Sequence, residues 1–352
     1  MAPAPVPGVP HQPGLGWLGR ETTLPPEAAP EEGRPRRSLW TWIIALPLAA
    51  VLLYFSFRGV QWRRVGHLVS GCSLGFLVLA LGIGVLAYLV RAFRWRLLLN
   101  AREKLAYLPV LWASSAGYLG NFWLPARAGE LVRIAMISAG SQVSRVYVLT
   151  TAITERVADT LALVLIGSVA GLSLGHKPMW LTRLAELAAA AAVLGTVLLV
   201  ILPLVHGAVD AVIARLPLAH PVRERLHKMT NNAIAAMHGF RNPSCFLQFL
   251  VLTLLIWLCD ASACVAVARA LHLRLSLPVA LLLLTAMGVG SALPSTPGAV
   301  GIVQFVAVTV LAPFHFTHSD AIAFILTSQA MSYVIITALG MLGLWQYRRR
   351  QR

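Results

Sequence analysis

The chain has 352 residues, 58% apolar and 12% charged, and a net charge of +16 from 29 Lys and Arg against 13 Asp and Glu. Soluble domains are about a quarter charged and about half apolar, and no soluble fold of this size hides so much apolar surface. The composition excludes a water-soluble enzyme, and the charge lacks the aromatic-interleaved basic surface of a nucleic-acid binder; an all-α integral membrane protein is predicted, with its basic loops held on the cytoplasmic side against anionic lipids.

Residues 1–38 mix Pro, Gly, Glu and Arg without an apolar run, as in Leu24-Pro25-Pro26-Glu27 and Arg34-Pro35-Arg36-Arg37. They read as a disordered cytoplasmic tail rather than a signal peptide or a span. A polytopic membrane domain over 39–346 follows, then a short basic cytoplasmic tail, 347–352. Apolar runs of about 20 residues mark spanning helices; six are predicted, at 39–57, 72–98, 146–174, 186–206, 244–270 and 319–346. Two further apolar segments, 108–138 and 278–313, are interrupted by Pro and Gly. Both carry Leu-Pro-x-x-x-Gly, as Leu124-Pro125 to Gly129 and Leu293-Pro294 to Gly298. Proline breaks the helix and glycine permits the turn. Each segment is therefore expected to be a re-entrant helical hairpin with its tip at membrane depth; a Pro-kinked ordinary span is the alternative.

Charge counting orients the chain. With a cytoplasmic N-terminus, the inside holds Arg34 to Arg37, the group from Arg91 to Arg145, the loop from Arg215 to Arg241, and Arg348 to Arg352. The outside keeps Arg58, Arg63, Arg64, Lys177, Arg183, Arg269 and Arg274, so the positive-inside bias is obeyed with both termini cytoplasmic. The hairpins then enter from opposite faces, and the helices before them, 72–98 and 244–270, run in opposite senses. Paired broken helices in an inverted pseudo-repeat point to a transporter-type site near the midplane.

Several charges stand where charges are costly. Arg127, Glu130 and Arg133 recur at i, i+3 on one helical face, so Glu130 can pair with either arginine. Within 146–174, Glu155 and Asp159 share a face, and Arg156 can reach Asp159. An unpaired charge at bilayer depth costs at least about 2.5–3.5 kcal/mol, which makes such residues functional candidates; a snorkelling ion-pair cluster at the cytoplasmic end is the alternative. Arg91, Arg94 and Trp95 end a span and read as an interfacial anchor, or as arginines gathering lipid phosphate. Asp260 is a lone intramembrane acid and a candidate partner for an arginine, while Asp320 is expected to cap the last helix.

No metal-ligand spacing, nucleophile elbow or phosphate-cradling loop is present in the sequence, so no catalytic residue, metal or cofactor is expected. The four cysteines lie in apolar stretches and are expected to pack; His206, His220, His227 and His238 lie by the basic loop without ligand spacing.

Arg91-x-x-Arg94-Trp95, then Gly117-x-x-Gly120-Asn121-x-x-x-Pro125-x-Arg127-x-Gly129-Glu130-x-x-Arg133, then Glu155-Arg156-x-x-Asp159 resemble the lysylphosphatidylglycerol synthase transmembrane region, the flippase-like domain family. The later Pro294-x-x-Pro297-Gly298-x-x-Gly301-x-x-Gln304 is similar to that family's second tip. The likeness runs over about residues 40–346. It implies a multi-spanning protein that moves or modifies polar lipids, with a headgroup site drawn from Asn121, Pro125, Arg127, Gly129, Glu130, Arg133, Glu155, Arg156, Asp159, Pro294, Pro297, Gly298 and Gln304. Three departures bear on mechanism: Gln304 replaces a glutamate of some members, Ala299 replaces a common glycine, and no aminoacyl-transferase domain follows, so lysyl-lipid synthesis is not expected. A lipid or lipid-linked-precursor flippase is the leading reading. A membrane-embedded lipid or polyprenyl-phosphate transferase and a non-catalytic partner of a cell-envelope enzyme stand beside it.

Overall fold

The computed structural model describes residues 36–100, 102–124, 128–174, 179–201, 243–290 and 297–351. The expected tail at 1–35, the expected tips at 125–127 and 291–296, and residues 202–242, where a basic loop is expected, lie outside the described residues. Among those described, every regular element is helical: α1 (Arg36–Phe57), α2 (Trp62–Ser70), α3 (Leu74–Leu99), α4 (Tyr107–Trp123), α5 (Gly129–Ala139), α6 (Arg145–Ser173), α7 (Met179–Ile201), α8 (Pro243–Ala270), α9 (Leu277–Gly290), α10 (Ile302–Leu311) and α11 (His318–Gln351). The all-α membrane expectation holds. Four helices, α3, α6, α8 and α11, are long and apolar enough to cross a bilayer by length and composition. Their outer faces carry exposed apolar side chains such as Leu74, Val78, Val169 and Leu247, as expected where lipid is the solvent.

The six predicted spans fall on α1, α3, α6, α7, α8 and α11. Two boundaries differ. Helix α7 begins at Met179 rather than 186, because Arg183 and Glu186 pair at i, i+3 (3.3 Å) and let the helix carry charge in its exposed first turns. Helix α11 continues to Gln351, through most of the expected basic tail. Helix α2 was not signalled by hydropathy: in nine residues it buries Val65 and leaves its charged side exposed.

Each Pro/Gly-broken segment is a pair of short helices packed on one another, α4 on α5 and α9 on α10. With 17, 11, 14 and 10 residues they rise roughly 25, 17, 21 and 15 Å, short of an about 30 Å hydrocarbon core. Close packing in the first pair requires its glycines: a Cβ on Gly129 would lie 1.9 Å from the Gly117 carbonyl oxygen, and one on Gly120 2.7 Å from the Gly129 Cα. In the second, Gly298 has φ of +70° and Ala299 of +52°, so the chain turns left-handed there. The two pairs meet. Pro297–Ala299 packs on α4, and the Phe122 ring of α4 lies 4.1 Å from Tyr333 of α11 beside Gly298.

Helices α3 and α8 lie antiparallel along most of their length, joined in succession by Ser73 N–H to the Ala270 carbonyl, by Arg91 to Asp260, and by Arg94 to Thr253. Each broken pair then packs on the long helix that follows the other: α4 on α11, and α9 on α6. One end gathers Arg58, α2 and the start of α11. There Gln61 N–H donates to Ser319 Oγ, and Arg64 grips Asp320 with both nitrogens (2.9 and 3.1 Å). Asp320 is the third residue of α11 and accepts from Thr317 N–H and Oγ1, so Thr317 is the cap and Asp320 its reciprocal partner. This corrects the expectation that Asp320 itself caps the helix.

Candidate functional site

Arg94 is the hub. Its side chain, on α3, is 0% exposed, with Nη2 donating to Glu155 (3.0 Å) and Asp159 (2.8 Å), and Nη1 donating to Thr253 Oγ1 (2.9 Å). Glu155, 3% exposed, receives Arg133 Nη2 of α5 on its second oxygen at 3.1 Å. Arg133 Nε lies 2.7 Å from Glu130 Oε2, a charge contact off the hydrogen-bonding direction of both atoms. Glu130 Oε1 accepts from Arg156 at 3.0 Å and from Asn121 Nδ2 at 3.3 Å. The order is therefore Asp159, Arg94, Glu155, Arg133, Glu130, Arg156: three carboxylates and three guanidiniums in strict alternation, strung across α3, α5 and α6. The Arg94–Glu155–Arg133 centre is buried, while the Arg156 side chain at one end is 46% exposed.

Local structure explains the placement. Ser144 caps α6 by accepting Tyr147 N–H, and the i, i+4 spacing along this helix puts Glu155 and Asp159 on the face that meets Arg94. Asp159 stands 14 residues from either end of α6. The Arg133 guanidinium stacks 4.4 Å from the Trp95 ring, and Trp95 Nε1 donates to Thr151 Oγ1 (3.3 Å). Trp95 and Arg94 are both 0% exposed, so the interfacial-anchor reading of these two is corrected: the ring cannot lie among headgroups. The apolar residues Leu97, Leu98 and Leu99 carry α3 one turn further, which puts Arg94 inside. Arg156 bonds Glu130 across helices rather than reaching Asp159 along its own, because Arg94 already holds Asp159 at two points.

Arg91, one turn before Arg94, faces a second region. It pairs with Asp260 of α8 through both nitrogens, meeting the expectation that this acid has an arginine partner. The pair lines a cavity of about 230 Å³ between α3, α8, α9 and α11, together with Tyr88, Cys264, Ser328 and Ser332. Sequence reading missed this cavity and the roles of Trp95, Thr151 and Thr253; their signal, an internal face on α3, appears only once α8 is packed against it.

At the second tip, Gln304 is buried. Its Oε1 accepts Gly301 N–H (2.7 Å) and its Nε2 donates to Gln329 Oε1 (2.6 Å). One side chain thus needs both an acceptor and a donor, which an amide supplies and a carboxylate does not. The second-tip residues Gly298 and Gln304 lie by α4 and α11 and bond Gly301 and Gln329 rather than the charge chain among the described residues, so the structure brings together Asn121, Glu130, Arg133, Glu155, Arg156 and Asp159, with Gly129 at the base of α5. Pro125, Arg127 and Pro294 fall outside the described residues. Among the described residues no three His, Cys, Asp or Glu side chains gather as a metal would need.

No curated protein matches the chain. The model of the lysylphosphatidylglycerol synthase TM region matches residues 42–340, most of the sequence, and the chain belongs to that family.

Proposed function

We propose that the protein is a flippase that moves a polar-headgroup lipid, or a lipid-linked precursor, across the cytoplasmic membrane. The observation that carries this reading is the six-member charge chain at the middle of α6. A scaffold has no need of it: buried ion pairs stabilise little over apolar packing of equal volume, whereas intramembrane ionisable groups mark substrate and ion pathways. A headgroup phosphate fits the arginines, whose planar forks bind it at two points. The half-exposed Arg156–Glu130 end is the entrance, and Glu130 is the competitor that a phosphate displaces.

The reciprocal packing of α4 on α11 and α9 on α6 supports an inverted pseudo-repeat, with the broken helix pairs as re-entrant hairpins entering from opposite faces. The arginines assigned outside by charge counting, among them Arg58, Arg64 and Arg269, lie near the end that α2 covers, which supports cytoplasmic termini. Anionic lipids are the partners this reading requires.

The test is translocation of headgroup-labelled phosphatidylglycerol in sealed liposomes. Wild type accelerates it. Glu130→Gln removes the competitor and keeps the shape, so lipid binds at least as tightly and is released more slowly, giving retained binding with impaired turnover. Loss of binding in Glu130→Gln contradicts the clamp, because removing a negative charge does not repel an anion.

A further inference from the structure

Arg91 and Asp260 are 169 residues apart, the same interval that separates Leu124-Pro125 from Leu293-Pro294 and Gly129 from Gly298. Each stands 17 residues into its helix, α3 or α8, and the two helices are antiparallel. In the pseudo-repeat, then, they are equivalent positions that meet each other, one a cation and the other an anion. A pair of equivalent residues in contact lies on the axis relating the two halves, the one place that a rocking motion of the halves presents to either side in turn.

The chemistry around the pair is unfinished. The Arg91 guanidinium is held by more than its acid: it lies 5.4 Å from the Tyr88 ring and 5.9 Å from the Trp257 ring, and so keeps its place if Asp260 lets go. Two buried donors, Trp257 Nε1 by Arg91 and Ser328 Oγ on the cavity wall, have no hydrogen-bond partner. Buried donors of this kind are normally satisfied. The cavity has room for a phosphate-sized group with several waters, at about 30 Å³ per water.

Charge decides what else must happen. As it stands the pair is neutral. An anion on Arg91 leaves Asp260 as a bare carboxylate inside a protein in lipid, a state that is relieved by taking a proton. The ionisable groups around Asp260 are Arg91 and Tyr88 on α3, Cys259 and Cys264 on α8, Tyr118 of α4 edge-on to Tyr88, and Arg156 of α6 acting on Tyr88 from further off. The residues of α9 and α11 that line the cavity, including Leu284, Ser328, Ser332 and Ile335, carry no ionisable group. Among the described residues that line the cavity, Arg91 is the one cation.

We infer that the Arg91–Asp260 pair is a proton-coupled anion site, in which a phosphate diester takes Arg91 and the released Asp260 carboxylate takes up one proton from solution. The occupied cavity is then as neutral as the empty one: guanidinium and phosphate balance, and the acid is uncharged. On departure of the anion the proton leaves Asp260 and the pair re-forms. The inference rests on the flippase reading in taking the diester to be a lipid headgroup.

The experiment is calorimetric titration of the purified full chain in detergent with dihexanoylphosphatidylglycerol, and separately with dimethyl phosphate, in two buffers of different ionisation enthalpy. Both probes stay monoanionic, so any proton counted belongs to the protein. Wild type takes up about one proton per anion, and affinity rises about tenfold for each unit the pH falls, since the complex holds a proton that the free protein lacks. Tighter binding of the lipid assigns the site to a headgroup; equal binding assigns it to a small soluble phosphate diester, with the coupling intact. Asp260→Asn keeps binding, takes up no proton and loses the pH dependence, while Arg91→Gln loses the binding. Binding without proton uptake in wild type overturns the inference. The same proton count in Asp260→Asn also overturns it; if that variant does not fold, the wild-type count decides alone. No translocation is measured here, so proton-coupled binding in a protein that does not move lipid refutes the flippase reading and leaves this site standing.

Discussion

Glu155→Gln is the sharpest perturbation of the charge chain. It preserves the shape of a buried side chain and removes the charge that lies between Arg94 (3.0 Å) and Arg133 (3.1 Å). Three guanidiniums then face two carboxylates. Arg94 retains Asp159, but Arg133 is left with the off-axis contact to Glu130, which Arg156 shares. Breaking a buried pair by removing one partner costs about 3–5 kcal/mol, because the other charge stays behind uncompensated. For a chain of this size that is a loss of about 5–15 °C in Tm. Adding Arg133→Gln restores balance: the chain falls into two neutral pairs, Asp159–Arg94 and Glu130–Arg156. Most of the lost stability should return, giving a coupling of about 2 kcal/mol or more between the two sites. The assay is thermal unfolding in mild detergent, reported by a thiol-reactive fluorophore that reaches free cysteines such as the buried Cys259 as the helices separate. Arg183→Gln is the control; its pair with Glu186 is exposed and contributes less than about 1 kcal/mol. Equal Tm changes in Glu155→Gln and Arg183→Gln, or a double variant as unstable as the single, would refute the reasoning.

Gly129→Ala should cost more than about 3 kcal/mol and abolish folded yield in size-exclusion chromatography, since its Cβ would lie 1.9 Å from a backbone oxygen that cannot move away; Gly66→Ala, with open space around it, should be neutral or slightly stabilising. Ala299→Gly should raise Tm by up to about 1 kcal/mol equivalent, because it removes the left-handed strain of φ +52° while adding some chain entropy. Gln304→Glu sets two acceptors against each other at Gln329 and should cost about 1–3 kcal/mol at neutral pH; the loss relative to wild type at the same pH should shrink as the pH falls and the acid regains a proton to donate. Single cysteines placed in the 207–242 loop of a Cys-free variant should resist impermeant thiol reagents in sealed cells, and external labelling there would overturn the proposed orientation.

The elements that the sequence announces most clearly are those set by local physics. Spans α3, α6, α8 and α11 follow from apolar length alone, and the Leu-Pro-x-x-x-Gly breaks locate both short helix pairs because Pro and Gly act within a few residues. Helix α2 escapes this logic: it has nine residues, three of them Arg64, Arg63 and His67, and it is held by Asp320 from more than 250 residues away. The candidate site is half legible for the same reason. Spacing within α6 puts Glu155 and Asp159 on one face, but spacing cannot say which arginine meets them. Arg94 looks like the end of a span because charge usually marks a membrane boundary, and only the packing of α3 between α6 and α8 makes it the centre. Gln304 likewise reads as a lost glutamate in the sequence and becomes a matched donor and acceptor once Gly301 and Gln329 are beside it.

The central claim is that the charge chain handles a lipid headgroup and is not a structural fixture. Glu155→Gln with Arg133→Gln separates the two, because it leaves every remaining charge paired. The decisive measurement is the translocation rate of headgroup-labelled phosphatidylglycerol in liposomes carrying equal amounts of wild type or this double variant, each checked for folding by its unfolding curve. The account predicts rapid translocation by wild type and, from a folded double variant, the rate of protein-free liposomes. A folded double variant that moves lipid as fast as wild type would contradict it.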